Sequence, residues 1–208
     1  MFCLNPGEWT DDTSMALCLA ESLINCKGFD PKDQLVRYGD WYHNGHLSSN
    51  GRCFDIGNTT LTALIHFEET GNPPCSGLTH PPRSAGNGSL MRLAPVPLAY
   101  AKTPSRAIEL SGECSKTTHA LDVCVDACRY MGALIVGAVS GYAKAQLLSP
   151  QFSPVEQYWE LFPLTSEIRT IANGSFHENE PPLKFRGDGI RRGLTRSSFV
   201  GICPDRNV

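Results

Sequence analysis

The chain has 208 residues, 41% of them hydrophobic and 19% charged, and a net charge of −3. That length allows one domain with a substantial core, and the balance excludes a disordered chain. The small negative charge offers no basic field for nucleic acid or an anionic membrane, so neither is expected as a partner.

Arginines collect late, at Arg186, Arg191, Arg192, Arg196 and Arg206. They lack the interleaved aromatic residues of a nucleic-acid groove. Nine cysteines are scattered without any Cys-x-x-Cys pair, which argues against a zinc ribbon or a redox dithiol. Cys124 and Cys128, one helical turn apart, read as small buried apolar residues. The pattern suits a reducing cytoplasm. No signal peptide is visible, and the most apolar stretch, Met131 to Val139, is too short to cross a bilayer. The glycosylation triplets at Asn58, Asn87 and Asn173 are read as coincidental without a secretory signal.

The first predicted helix runs from about Thr13 to Ile24 and is apolar on nearly every side, hence buried. Gly7-Glu-Trp-Thr-Asp-Asp-Thr-Ser-Met15 stands at its start. Two roles are open for this stretch. Thr10 can cap the helix, with Asp11 and Asp12 complementing its dipole, or all three can turn oxygens toward a hard cation. A second helix follows Asp30 as N-cap and Pro31 at the first position, with Leu35, Tyr38, Trp41 and Tyr42 at helical spacing. A third follows Asn58, with Leu61, Leu64 and Ile65 as its apolar face and Gly71 as its stop.

Just before that third helix, Asp55 lies between Phe54 and Ile56, an odd place for an ordinary solvated acid. Capping by Asp55 or Asn58 is the plain alternative to a catalytic role. Residues 71–89 are rich in proline and glycine and form a loop. It ends in Gly86-Asn87-Gly88-Ser89-Leu90-Met91-Arg92, where glycines let backbone approach a ligand and Arg92 adds a fork suited to phosphate. A plain turn remains the alternative. Pro95 and Pro97 then limit any helix to short pieces.

The longest helix is predicted from about His119 to Leu147, with Gly132, Ala133, Gly137 and Ala138 allowing close helix approach. Ser115 to His119 stand at its mouth, and His119 either contacts a ligand or caps and packs. A last helix spans roughly Val155 to Ala172, broken or kinked at Pro163. Strand alternation is essentially absent, so the expected fold is all-α.

Taken together, Thr10-Asp11-Asp12-Thr13, Phe54-Asp55-x-Gly57-Asn58-Thr59-Thr60, Gly86 to Arg92 and Thr118-His119 resemble the ADP-ribosylglycohydrolase family, in residues and in order. Met15-Ala-Leu-Cys-Leu-Ala-Glu-Ser-Leu23 is also similar to family text, and the resemblance covers most of residues 5–189. It implies an orthogonal all-α bundle with two magnesium ions in a cleft. Thr10, Asp11 and Asp12 match the family's metal ligands, and Asp55 the acid acting at the ribose. Gly57, Asn58 and Thr59 would border the substrate, residues 86–92 would hold its pyrophosphate, and His119 would line the ribose pocket. The implied activity is magnesium-dependent cleavage of the glycosidic bond of ADP-ribose conjugates, such as ADP-ribosylated protein side chains.

The residue types suit that chemistry. Cleavage at the anomeric carbon builds positive charge on the sugar, and a nearby carboxylate stabilises it or activates water. Magnesium can grip ribose hydroxyls, and a tight backbone curve can supply donors to a diphosphate.

The chain also departs from the family. Family members usually begin earlier, and they carry a late Asp-x-Asp that completes the metal cage; no Asp-x-Asp occurs here. The family-like text ends near Gly189, so the chain divides into a partial domain, 1–189, and a non-family tail, 190–208, expected to be out of frame or truncated. Two functions therefore compete: a hydrolase, and a non-catalytic remnant that keeps some ADP-ribose binding or none. A helical partner-binding protein ranks behind both, because it leaves Asp55 and the glycine loop without purpose.

Overall fold

The computed structural model describes residues 4–73 and 85–175. These residues form ten helices and no strand. The fold is all-α. The expected boundary at residue 189 and the tail beyond it lie outside the described residues, as does Ser84.

The first helix, α1, covers Asp11–Asn25 and begins two residues before the expected start. It buries Met15, Cys18 and Leu19. The second, α2, covers Pro31–Asn44. Its start follows the sequence: the Asp30 carboxylate accepts hydrogen bonds from the backbone N–H groups of Lys32 and Asp33 at 2.8 and 3.0 Å. Leu35, Tyr38 and Trp41 are fully buried against α1 and the core, while Tyr42 is only partly so. Arg37 ties the two helices, donating to Glu21 of α1 at 2.7 Å and to Asp33 at 2.6 Å.

Helix α3 covers Asn58–Thr70 and stops at Gly71, whose φ of 66° fits the left-handed cap. Its buried face is Thr60, Ala63, Leu64 and Phe67. This corrects the expected face: Leu64 is buried, but Leu61 is half-buried and Ile65 is exposed, because α3 packs on α2 along a narrower stripe. Two short helices follow, α4 (Gly88–Met91) and α5 (Pro95–Ala99).

Helix α6, Pro104–Lys116, was not legible in the sequence. Thr103-Pro104 is an acceptable start, but much of the buried face is Ser111, Gly112 and Ser115, which carry no apolar signal. It packs against α7, Asp122–Val139, the longest helix and the centre of the fold. Gly132 makes this contact possible: a Cβ there would collide with the Ser111 hydroxyl of α6.

The expected span from His119 to Leu147 is corrected at both ends. His119 closes the turn after α6, its N–H donating to the Ser115 carbonyl at 2.7 Å. At the other end Gly141, with φ 86°, separates α7 from the short α8, Lys144–Leu147. The last expected helix likewise divides around Pro163 into α9, Tyr158–Leu161, and α10, Ser166–Ala172. Asp126 of α7 holds that end, accepting from Thr165 N–H at 2.7 Å and from Arg129 at 2.7 Å. Among the described residues no helix is long and apolar enough to cross a membrane.

Candidate active site

The start of α1 does not use its polar residues as a cap. Thr10 occupies the N-cap position in extended backbone, but makes no side-chain bond to the helix N–H groups. Its hydroxyl instead donates to an Asp12 carboxylate oxygen at 2.9 Å. The segment before it is held from the side. Trp9 Nε1 donates to the Leu47 carbonyl at 3.2 Å, and the Ser49 hydroxyl donates to the Trp9 carbonyl at 2.7 Å. These bonds lock the start of α1 to the loop that leads to Asp55.

Asp11 is only 7% exposed, whereas Asp12 and Asp55 are open to solvent. Burial pushes the Asp11 carboxyl up to about 7, and the negative charges of Asp12 and Asp55 add to the rise. Asp55 is itself raised, by burial first and then by Asp12. Carboxylates from two segments therefore share one field: Asp12 and Asp55 disfavour the charge of Asp11, and Asp12 that of Asp55. The neighbouring Cys53 thiol is pushed up to about 11 by burial and by Asp11.

Asp55 has φ 61°, in the left-handed region that is uncommon for a non-glycine residue. Such a conformation persists only where its surroundings impose it, and it clusters at functional sites. Neither Asp55 nor Asn58 caps α3. The N-cap is Gly57, which has no side-chain oxygen, and Gly57 and Asn58 are exposed. The capping alternative for both residues is thus set aside.

A second cluster lies under the glycine loop. The His119 ring packs edge-on against the backbone of that loop. A Cβ on Gly88 would lie 2.8 Å from His119 Cε1 and 3.0 Å from the Thr60 hydroxyl. A Cβ on Gly86 would lie 3.2 Å from His119 Nε2 and 3.8 Å from the Thr59 hydroxyl. A side chain at Gly88 would force the ring or the hydroxyl to move, and one at Gly86 would crowd the ring. The beginning of α3, the glycine loop and His119 are thereby brought to one place.

Not every expected site residue is presented to a ligand. Arg92 is a correction: it is fully buried rather than held out as a phosphate fork. Its guanidinium lies 4.6 Å over the Tyr38 ring, and Nη2 donates to Thr117 and Thr118 hydroxyls at 3.1 and 2.7 Å. Ser89 is also turned inward, bonded to the Ser115 hydroxyl at 2.8 Å, and Leu90 belongs to the core. Met91 packs against that core. What the loop leaves accessible is Gly86, Asn87 and part of Met91.

The buried network beneath it, with Gln34, Tyr38, Thr117 and Thr118, was not singled out from the sequence. Gln34 and Tyr38 are one turn apart on α2, joined by a 2.9 Å hydrogen bond, but nothing in the text links them to residues eighty positions later. Cys128, expected as packing, is fully buried with its thiol pushed up to about 12.

The oxygens of Thr10, Asp11, Asp12 and Asp55 are the donor type a hard cation takes, and their mutual repulsion is what a cation would relieve. Among the described residues, however, no group of three or more acidic, histidine or cysteine side chains gathers tightly enough to hold a metal ion. The donor chemistry fits, and the described shell is open. A separate groove lined by Glu109, Glu113, Val125, Tyr158 and Phe162 contains none of these residues.

Residues 1–198 match the family model for ADP-ribosylglycohydrolase. The ADP-ribosylarginine hydrolase Tri1 of Serratia proteamaculans (strain 568) is 41% identical over 157 residues, 74% of this chain and 42% of that protein. The ADP-ribosyl-dinitrogen reductase glycohydrolase of Rhodospirillum rubrum is 28% identical over 141 residues, 66% of this chain and 44% of that protein. A solved structure described as an ADP-ribosylglycohydrolase-related protein complex is similar with a TM-score of 0.69 and 37% identity, over 88% of this chain and 56% of that one. The chain thus spans about half the length of the relatives it matches.

Proposed function

Because the chain belongs to the ADP-ribosylglycohydrolase family, we propose that it binds the ADP-ribose part of a conjugate between Asp55 and the glycine loop and hydrolyses its glycosidic bond. The observation that carries this is the shared field of Asp11, Asp12 and Asp55, drawn from two segments, in which the Asp11 and Asp55 carboxyls are raised above the ordinary range.

Asp55 stands at the solvent side of that field, so its carboxylate can face the positive charge that develops at the anomeric carbon and accept a proton from the attacking water. Asp11 and Asp12 supply the negative charge, and Thr10 orients Asp12. Magnesium, when bound by these oxygens, would offset their repulsion and grip the ribose hydroxyls. Gly86 and Gly88 let the loop backbone approach the diphosphate, while Gly57, Asn58, Thr59 and His119 border the ribose. The substrate class is an ADP-ribosylated protein side chain or a related small conjugate. The arginine linkage, for which the Serratia relative is named, is the first to test.

A second reading is binding without turnover. The absence of any Asp-x-Asp from the sequence favours it, since fewer carboxylates would then share the ion. Calorimetry with ADP-ribose, with and without magnesium, and release of ADP-ribose from an ADP-ribosylated arginine peptide separate the two. Magnesium-dependent binding that disappears in Asp11→Ala, together with release, supports the hydrolase. Binding without release leaves the second reading, and no heat under any condition removes both.

A further inference from the structure

We propose that Trp9 and Ser49 are positioning residues: their two hydrogen bonds hold the loop that carries Asp55 in a fixed place beside Asp11 and Asp12, so that the two segments can share a divalent cation. This deepens the site reading above and rests on it for the identity of the cation.

Asp11 opens α1, whereas Asp55 stands on the connection between α2 and α3. That connection is closed on itself before it reaches Asp55. Gly45 caps α2 at φ 71° and lies so close to the backbone of Gly51 that a Cβ would collide with the Gly51 carbonyl. The Ser48 hydroxyl donates to the Arg52 carbonyl at 2.6 Å, and Ser48 N–H donates to the Gly45 carbonyl at 3.0 Å. Leu47 and Gly51, with φ 56° and 73°, complete the coil. Residues 45–52 thus form one small body whose shape is set internally.

Trp9 fastens this body to the start of α1 twice. Its indole Nε1–H donates to the Leu47 carbonyl at 3.2 Å, and its own carbonyl accepts from the Ser49 hydroxyl at 2.7 Å. Because the bonds run to two different loop residues, they restrain rotation as well as separation. A third link lies further along α1, where His46 Nε2 is 2.7 Å from Glu21 Oε2.

The leads from this clasp to the carboxylates are short. Trp9 stands two residues before Asp11, and Arg52 three before Asp55. Three residues span at most about 10 Å, so fixing Arg52 confines Asp55. Ordering a free loop costs about 1 kcal/mol or more per residue. The clasp makes that ordering part of folding, and a cation shared by the two segments does not have to drive it.

The test is magnesium calorimetry on the full chain, with proton–nitrogen NMR of the Trp9 indole on the same samples. Trp9 and Ser49 are half-buried, so removing the Ser49 hydroxyl opens no core cavity. Ser49→Ala is expected to weaken magnesium about fivefold, the value of one hydrogen bond, and to speed solvent exchange of the Trp9 indole N–H. Ser49→Thr, which keeps a hydroxyl, is expected to restore both. Trp9→Phe keeps a ring without the N–H, assigns the indole signal by its loss, and is expected to weaken magnesium to a similar degree. In an Asp55→Asn background, Ser49→Ala is expected to change magnesium affinity by less than about twofold, because the loop then has no carboxylate to position. Unchanged affinity in Ser49→Ala, or the same loss in both backgrounds, would overturn the proposal and leave the functional reading standing. A wild-type chain that takes up no magnesium would overturn both.

Discussion

Two polar regions of this molecule handle charge in opposite ways. At the start of α1, Asp11, Asp12 and Asp55 stand together with like charge, and the charge of Asp12 raises both of the others. Beneath the glycine loop, Arg92, Thr117, Thr118 and His119 are sealed from solvent and joined by hydrogen bonds. The first region concentrates like charge, whereas the second is held by its own hydrogen bonds. The proposed hydrolysis would draw on both: repulsion that a bound cation would relieve, and a rigid wall that costs nothing to order.

The largest effect is expected where the sealed region is emptied. Arg92→Ala should destabilise the fold by about 4 kcal/mol in urea titrations, because it opens a cavity and removes the donor that two buried threonine hydroxyls accept from. A loss below about 1 kcal/mol would mean that the network does not hold the segment. At the open region the effect should move from stability to rate. Asp55→Asn, whose new side chain tolerates the same left-handed backbone, should lower release of ADP-ribose about a hundredfold while stability changes by less than about 0.5 kcal/mol.

Third comes the pH response of Asp11. Its carboxyl is raised from 3.8 to about 7 in the folded chain, so its ionised form opposes folding. The stability it contributes is complete below about pH 4 and is lost as pH rises through 7. Asp11→Asn should therefore match wild type at pH 4 and exceed it by about 2 kcal/mol at pH 8, and magnesium should narrow that gap by stabilising wild type alone. Equal stability of variant and wild type at both pH values would show that burial and the neighbouring acids do not raise the Asp11 carboxyl. The smallest effect lies where the regions meet. Gly88→Ala pushes a methyl against His119 and should weaken ADP-ribose about tenfold, with little change in magnesium affinity measured separately.

Elements announced by local rules were readable in the chain. Asp30-Pro31 begins α2, Gly71 ends α3, and Pro163 divides the last helical stretch. Helix α6 was missed because its inner face is serine, glycine and alanine as much as leucine, so its burial leaves no hydrophobic period. The span of α7 was drawn too long because apolar spacing continues past Gly141, where only the backbone conformation breaks it.

The same division holds at the site. The text of the chain was enough to single out Asp11, Asp12, Asp55, the glycines at 86 and 88, and His119, since acids beside helix starts and closely spaced glycines are conspicuous as letters. It could not say which way a side chain turns. Arg92 reads as a cation for phosphate and is a buried strut, and Thr118 reads as a mere neighbour of His119 and lies within hydrogen-bond distance of its Nδ1. Residue type determines what chemistry a group can do; direction and burial depend on helices that meet only after folding, as α2 meets the turn beyond α6 through Gln34 and Thr117.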